Sequence, residues 1–243
     1  MRYWVTPSGH KVTQVLSGRS NVFLLSAGDK NILIDTSPGF LWKTLQKRLE
    51  KLRIESIDLL ILTHSHFDHA ANAARVREKY KAKVVIHRSE AQYLASGNNI
   101  FPVGTNPFAE LITSLFAGKI NSFASYQPCN HDIAVDEILD LSDFGFNAYL
   151  IHTPGHTQGS ISIIVDNDVA LVGDTMFGIF PWTVMPPFAN DKQQLLKSWE
   201  KLLETLCKLF VPSHGTANKR DLVEKDLVKK LICQTVRGIN SFW

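Results

Sequence analysis

Residues 58–69 read Asp58-Leu59-Leu60-Ile61-Leu62-Thr63-His64-Ser65-His66-Phe67-Asp68-His69. The near-continuous apolar run over 59–62 predicts a strand buried on both faces, as in the middle of a parallel sheet. That strand leads directly into four metal-ligating side chains within six residues. His64 and His66 are two apart, so extended backbone presents both on one face. Asp68 and His69 follow the onset of a turn and point towards a neighbouring position. Two donor pairs with different directions suit two metal ions better than one. Neutral imidazole and carboxylate are ligands for zinc, and also for iron or manganese.

The same arrangement recurs towards the C-terminus. Thr153-Pro154-Gly155-His156-Thr157 follows the apolar run 149–151, Gly173-Asp174-Thr175 follows 169–172, and Pro212-Ser213-His214-Gly215 follows 209–211. In each case a ligand-type side chain stands where a strand leaves its sheet, beside a glycine that lets the backbone bend close to an ion. A lone strand-end His or Asp is usually just a turn residue. Three of them together with the His64–His69 cluster make a site.

The flanking sequence supplies a scaffold. Alternating or apolar runs predict strands over 12–16, 22–26, 31–35, 82–87, 138–141, 146–152, 161–165 and 169–172, with a short one over 210–212. Leu41, Leu45, Leu49 and Leu52 recur at helical spacing, and further helices are predicted over 70–80 and 221–236. Asp191 is placed to cap another, whose apolar face carries Leu195, Trp199 and Leu202. The stretch 94–136 is rich in Gly, Asn and Pro, with a short apolar helix expected over 111–116. It reads as an insertion within a single domain, placed to act as a lid.

Composition excludes several classes. The 243 residues are 44% hydrophobic and 20% charged, which is ordinary for a globular protein. The formal charge of +3 is too small to argue for a nucleic-acid partner, and no apolar run approaches the length of a membrane span. The N-terminus lacks the apolar segment of a signal peptide, which predicts a cytoplasmic protein. Cys129, Cys207 and Cys233 are far apart and suggest neither disulfides nor a thiolate metal site.

His-x-His-x-Asp-His, then Thr-Pro-Gly-His-Thr, Gly-Asp-Thr and Ser-His-Gly, in that order, resembles the metallo-β-lactamase-fold hydrolase superfamily over about residues 10–235. The resemblance implies an α+β fold, a four-layer αββα sandwich of two mixed sheets packed face to face with helices outside. It implies that His64, His66 and His156 bind one metal, that Asp68, His69 and His214 bind a second, and that Asp174 bridges them. Two zinc ions per chain would share a bridging hydroxide that attacks a small ester, thioester, lactone or phosphoester. Asp68 and Asp35 are the expected catalytic carboxylates, Asp35 acting by orienting the histidine loop. His10, His87, His131 and His152 match no motif position, although His152, four residues before His156, is placed to face the site.

Departures from the pattern narrow the class. Asp174 argues against a true β-lactamase, which lacks that acid. The chain ends at Trp243, soon after His214, leaving no room for the C-terminal helical region of glyoxalase II. Phe177 stands where acyl-homoserine lactonases carry a tyrosine. His66 stands where flavo-di-iron proteins carry a glutamate, favouring hydrolysis over oxygen reduction. A mononuclear iron enzyme resembling the persulfide dioxygenases, and a phosphodiesterase or nuclease, remain as alternatives. Phe177, Phe180 and Trp182 are suited either to an apolar wall of a small-molecule pocket or to packing in the core or a dimer contact. The protein is expected to be a monomer or homodimer.

Overall fold

The computed structural model of the chain describes residues 1–18, 20–98, 104–105 and 125–240, the last seven by backbone only. One sheet holds β1 (Tyr3–Val5), β2 (Lys11–Leu16), β3 (Val22–Ala27), β4 (Lys30–Ile34), β5 (Leu59–Ile61), β6 (Lys83–His87) and β7 (Ile133–Val135), side by side in chain order. The other holds β8 (Ile138–Asp140), β9 (Ala148–His152), β10 (Ile161–Val165), β11 (Val169–Gly173), β12 (Leu209–Pro212) and β13 (Asn218–Lys219), again in chain order. The helices are α1 (Trp42–Lys51), α2 (Phe67–Ala70), α3 (Ala73–Tyr80), α4 (Ala91–Ser96), α5 (Lys192–Glu204) and α6 (Arg220–Asn240).

Side-chain alternation along the strands explains the layering. Ile32, Ile34, Leu59, Ile61 and Val85 of the first sheet meet Leu150, Ile161, Ile163 and Leu171 of the second in an inter-sheet core. Their neighbours Leu33, Leu60, Val84 and Ile86 face the opposite way and pack on Leu45 and Leu49 of α1 and Val76 of α3. Behind the second sheet, Ile164, Ala170 and Val172 pack on Leu195 and Trp199 of α5 and Val223 of α6. Three apolar interfaces thus join four layers, the expected αββα sandwich. Because β5 is covered on both faces, Leu59, Leu60, Ile61 and Leu62 are all fully buried.

Strand direction decides where the chemistry lies. β4, β5, β6 and β7 run parallel, so β4 and β5 release residues 35 and 62–64 at the same rim. In the second sheet β9 and β11 are each antiparallel to β10, and β12 is parallel to β11. β9, β11 and β12 therefore point one way and release residues 153, 174 and 213 at one rim. Parallel strands leave their ligand crevice at their C-terminal ends.

Several elements differ from the sequence reading. The expected helix 70–80 begins only at Ala73, as α3; the single turn α2 precedes it, and between them the Asn72 side-chain amide donates to the carbonyls of Thr36, Ser37 and Pro38 at 3.0–3.1 Å. The strands β1, β7 and β13 are too short to give a periodic signal, and β7 lies inside the stretch 94–136. That stretch has therefore rejoined the first sheet by Ile133, before the expected end of the insertion. Gly104 bridges to Phe188, while the expected helix 111–116 lies outside the described residues. No helix among the described residues is long and apolar enough to cross a membrane.

Asp166 follows β10 at φ +53, in a turn where an acid ordinarily stays in solvent. Instead its side chain, 2% exposed, accepts bonds from the Thr6 and Ser8 hydroxyls, the Ser8 N–H and, at 2.6 Å, the Asn147 amide. Burial opposes its ionisation, but these donors outweigh burial and hold the carboxyl at about 2. An acid depressed from its usual value near 3.8 stabilises the fold above that value and ceases to do so as pH falls towards 2. Asp166→Asn is therefore expected to cost about 2 kcal/mol at pH 7 by urea unfolding. The gap from the parent chain should close between pH 4 and 2; a gap that stayed constant over that range would show that the ionised carboxylate is not what anchors residues 6–8.

Candidate metal centre

The rims of the two sheets are tied together at Asp35. This residue leaves β4 fully buried and at φ +61, a conformation that costs a non-glycine residue about 1–2 kcal/mol. Its carboxylate accepts bonds from the Thr63 N–H at 2.8 Å, the Thr63 hydroxyl at 2.9 Å, His69 Nδ1 at 2.8 Å and the Ser213 hydroxyl at 3.0 Å. Ser213 directly follows β12 of the second sheet, so one carboxylate fixes donor-bearing segments from both. Fixing Nδ1 of His69 leaves Nε2 of that ring to point into the site. Asp35 reaches the donors through Thr63, His69 and Ser213.

Close backbone approach completes the joint. Gly173, just before Asp174, sits at φ +53, and a Cβ there would lie 2.8 Å from the Cβ of Thr63. Beyond Asp174, the Trp199 indole N–H donates to the Thr175 carbonyl at 2.7 Å, which anchors this segment to α5.

The seven residues singled out by sequence come together in two adjacent sets. In the first, His66 Nδ1 lies 2.9 Å from His64 Nε2 and 3.1 Å from His156 Nε2. His156 is oriented by its Nδ1, which donates to the Phe188 carbonyl at 2.8 Å. In the second, Asp68 Oδ2 lies 3.7 Å from His69 Nε2 and 3.4 Å from His214 Nε2. Asp174 faces both sets: Oδ2 is 3.5 Å from His156 and 3.3 Å from His214, and Oδ1 is 3.5 Å from His69. Three overlapping groups of these donors could each hold an ion, with ligand atoms within 4.8 Å of one another.

The electrostatics suit a cation. Burial holds His64 well below its usual value and His66 at about 3, so both rings are neutral donors. At the other set, burial opposes protonation, yet the carboxylates of Asp174 and Asp68 raise His69 well above its usual value and hold His214 at about 10. His69 Nε2 and Asp174 Oδ1 are buried without a hydrogen bond, an arrangement that costs free energy unless something else engages them. Donor types, the neutral imidazoles of the first set and the unsatisfied atoms all fit a divalent ion.

Outside the two sets, His152 does not face the donors. It stacks on His87 with centroids 4.1 Å apart and donates from Nε2 to the Gln158 carbonyl at 2.8 Å. His87 is buried and His10 sits between Asp166 and Phe146, whereas His131 is exposed. Of the aromatic stretch, Phe177 packs on the His214 ring at 4.6 Å, while Phe180 and Trp182 form an exposed pair. A cavity of about 420 Å³ opens beside His66, lined by Arg88, Gln92, Tyr93, Gln158 and Asn190. A second of similar size lies beyond Phe67, against Phe40 and Tyr126.

Comparison with known proteins agrees with this architecture. The sequence profile of the metallo-beta-lactamase superfamily matches residues 17–214. A protein of Methanocaldococcus jannaschii named a probable metallo-hydrolase is 34% identical over 210 residues, covering 83% of this chain and 90% of its own. The hydroxyacylglutathione hydrolase GloC of Haemophilus influenzae is 27% identical over 168 residues, covering 69% and 71%. The crystal structure of an archaeal superfamily protein from Sulfolobus tokodaii aligns with a TM-score of 0.62 at 21% identity, covering 87% and 80%. The motif order, the two-sheet sandwich and the profile match converge: the chain belongs to the metallo-beta-lactamase superfamily.

Proposed function

We propose that the protein is a hydrolase that holds two zinc ions and cleaves a small thioester or ester. The observation that carries this reading is Asp174, which lies within 3.5 Å of donors from both sets. His64, His66 and His156 would hold one ion, Asp68, His69 and His214 the other, with Asp174 shared. Divalent ions in such a pair supply Lewis acidity towards a substrate oxygen and make water a nucleophile at neutral pH.

The chain's own residues do the rest. Asp35, through His69, and the Phe188 carbonyl, through His156, fix which imidazole nitrogen faces the substrate side. Asp68 is 20% exposed and Asp174 5%, so Asp68 is the carboxylate placed to carry a proton between water and the leaving group. The cavity beside His66 has the volume of a small-molecule site, and its lining of amides and hydroxyls together with Arg88 and Glu90 suits a polar acyl or thiol portion. Phe177 places no hydroxyl beside His214, which disfavours lactone chemistry that uses one. The likeness to a relative named for a glutathione thioester, matched over 71% of its length, favours a thioester and removes the weight of the argument from chain length.

Elemental analysis of gently purified protein should find close to two zinc ions per chain. Chelation should abolish turnover and zinc should restore it. Assayed against thioesters, lactones and phosphodiesters, the protein should turn over a thioester fastest; one iron with persulfide-dependent oxygen consumption would refute the reading.

His66→Ala should remove one ion and most turnover, whereas His131→Ala, at an exposed position, should leave both intact. Equal losses from the two would mean that the histidines are misassigned.

Asp174→Ser should lower the occupancy of at least one ion and slow turnover at least a hundredfold, about 2.7 kcal/mol of barrier. Asp143→Ser, at an exposed turn, is the matched control. Two retained ions with near-normal turnover would rule out a shared carboxylate.

A further inference from the structure

Glu90 lines the cavity beside His66, and the reading above gives its buried carboxylate no role towards the donors. It follows β6 and is 3% exposed. Its Oε2 accepts bonds from the Ser65 N–H, at 3.1 Å, and from the Ser65 hydroxyl. Its Oε1 accepts from the Gly159 N–H at 3.2 Å. Ser65 lies between His64 and His66, and Gly159 lies three residues after His156. The two segments leave different sheets, β5 and β9.

The packing is as tight as the bonding. A Cβ on Gly159 would lie 2.4 Å from Glu90 Cγ and 2.5 Å from the Ser89 hydroxyl oxygen. The segment after His156 is therefore pressed on the Glu90 side chain itself. Across this joint, His66 Nδ1 and His156 Nε2 stand 3.1 Å apart. A carboxylate with both oxygens engaged by two separate segments restricts their relative motion. An amide cannot accept at both ends, because its nitrogen has no lone pair to offer.

We propose that Glu90 is a positioning residue that sets the spacing of the His64, His66 and His156 donors, as Asp35 does for His69 and the segment bearing His214. This rests on the two-ion reading of the site. Each half of the centre would then have its own buried carboxylate spanning the two sheets. The bonds of Glu90 run to Ser65, between His64 and His66, and to Gly159, just after His156, so its effect falls on the first set of donors.

The test uses cobalt(II) titration of the full chain by calorimetry, in two backgrounds. In His214→Ala, the remaining intact set is His64, His66 and His156, and Glu90→Gln should weaken cobalt binding about tenfold or more. In His156→Ala, the remaining intact set is Asp68, His69 and His214, and Glu90→Gln should change the affinity less than about twofold. Equal weakening in both backgrounds would reduce Glu90 to general scaffolding and overturn the proposal, as would no weakening in either. Ser65→Ala, which removes one of the three donors, should give a smaller loss confined to the same set, and it carries the test if Glu90→Gln does not fold. A parent protein that bound no cobalt would instead overturn the metal reading on which the proposal rests.

Discussion

The site depends on a carboxylate that is not itself among the expected ligands. Asp35 is fully buried, and its oxygens take bonds from Thr63 and His69, which follow β5 of one sheet, and from Ser213, which follows β12 of the other. A buried charge is costly unless it is fully hydrogen-bonded, so this cluster is stable only with all its members in place. The positive φ of Asp35 is held by the same bonds. The consequence is geometric. The rim of one sheet cannot shift against the other without breaking bonds to Asp35, and the donors ride on those rims.

The fold explains why so few residues suffice. Three of the strands that end at the site in each sheet point the same way, β4, β5 and β6 in one and β9, β11 and β12 in the other. Each delivers a polar residue just past its last apolar position. The inter-sheet core formed by Ile34, Ile61, Ile163 and Leu171 brings those ends together. Burial of the strands and assembly of the centre are therefore consequences of one packing event.

Much of this is legible in the sequence because it is local. The run 58–69 shows both the doubly covered strand and four donors, and the strand-end positions of His156, Asp174 and His214 follow from apolar runs that stop abruptly. What is not legible is tertiary. Asn72 delays the start of a helix that the sequence places from residue 70, and its amide donates to three carbonyls of the 36–38 turn. Asp166 looks like any turn acid, and its partners lie near residues 6–8, far away in sequence. Glu90 carries a faint signal, an acid just past a buried strand, the same pattern as Asp35 and Asp174. Its significance depends on the Ser65 and Gly159 N–H groups, which no spacing rule connects.

The central claim is that two donor sets share one carboxylate. Anomalous diffraction at the zinc edge from crystals of the zinc-loaded protein tests it most directly. The account predicts two peaks, one among His64, His66 and His156 and the other among Asp68, His69 and His214, with an Asp174 oxygen ligating each ion. A single peak, or two peaks of which Asp174 ligates only one, would contradict it.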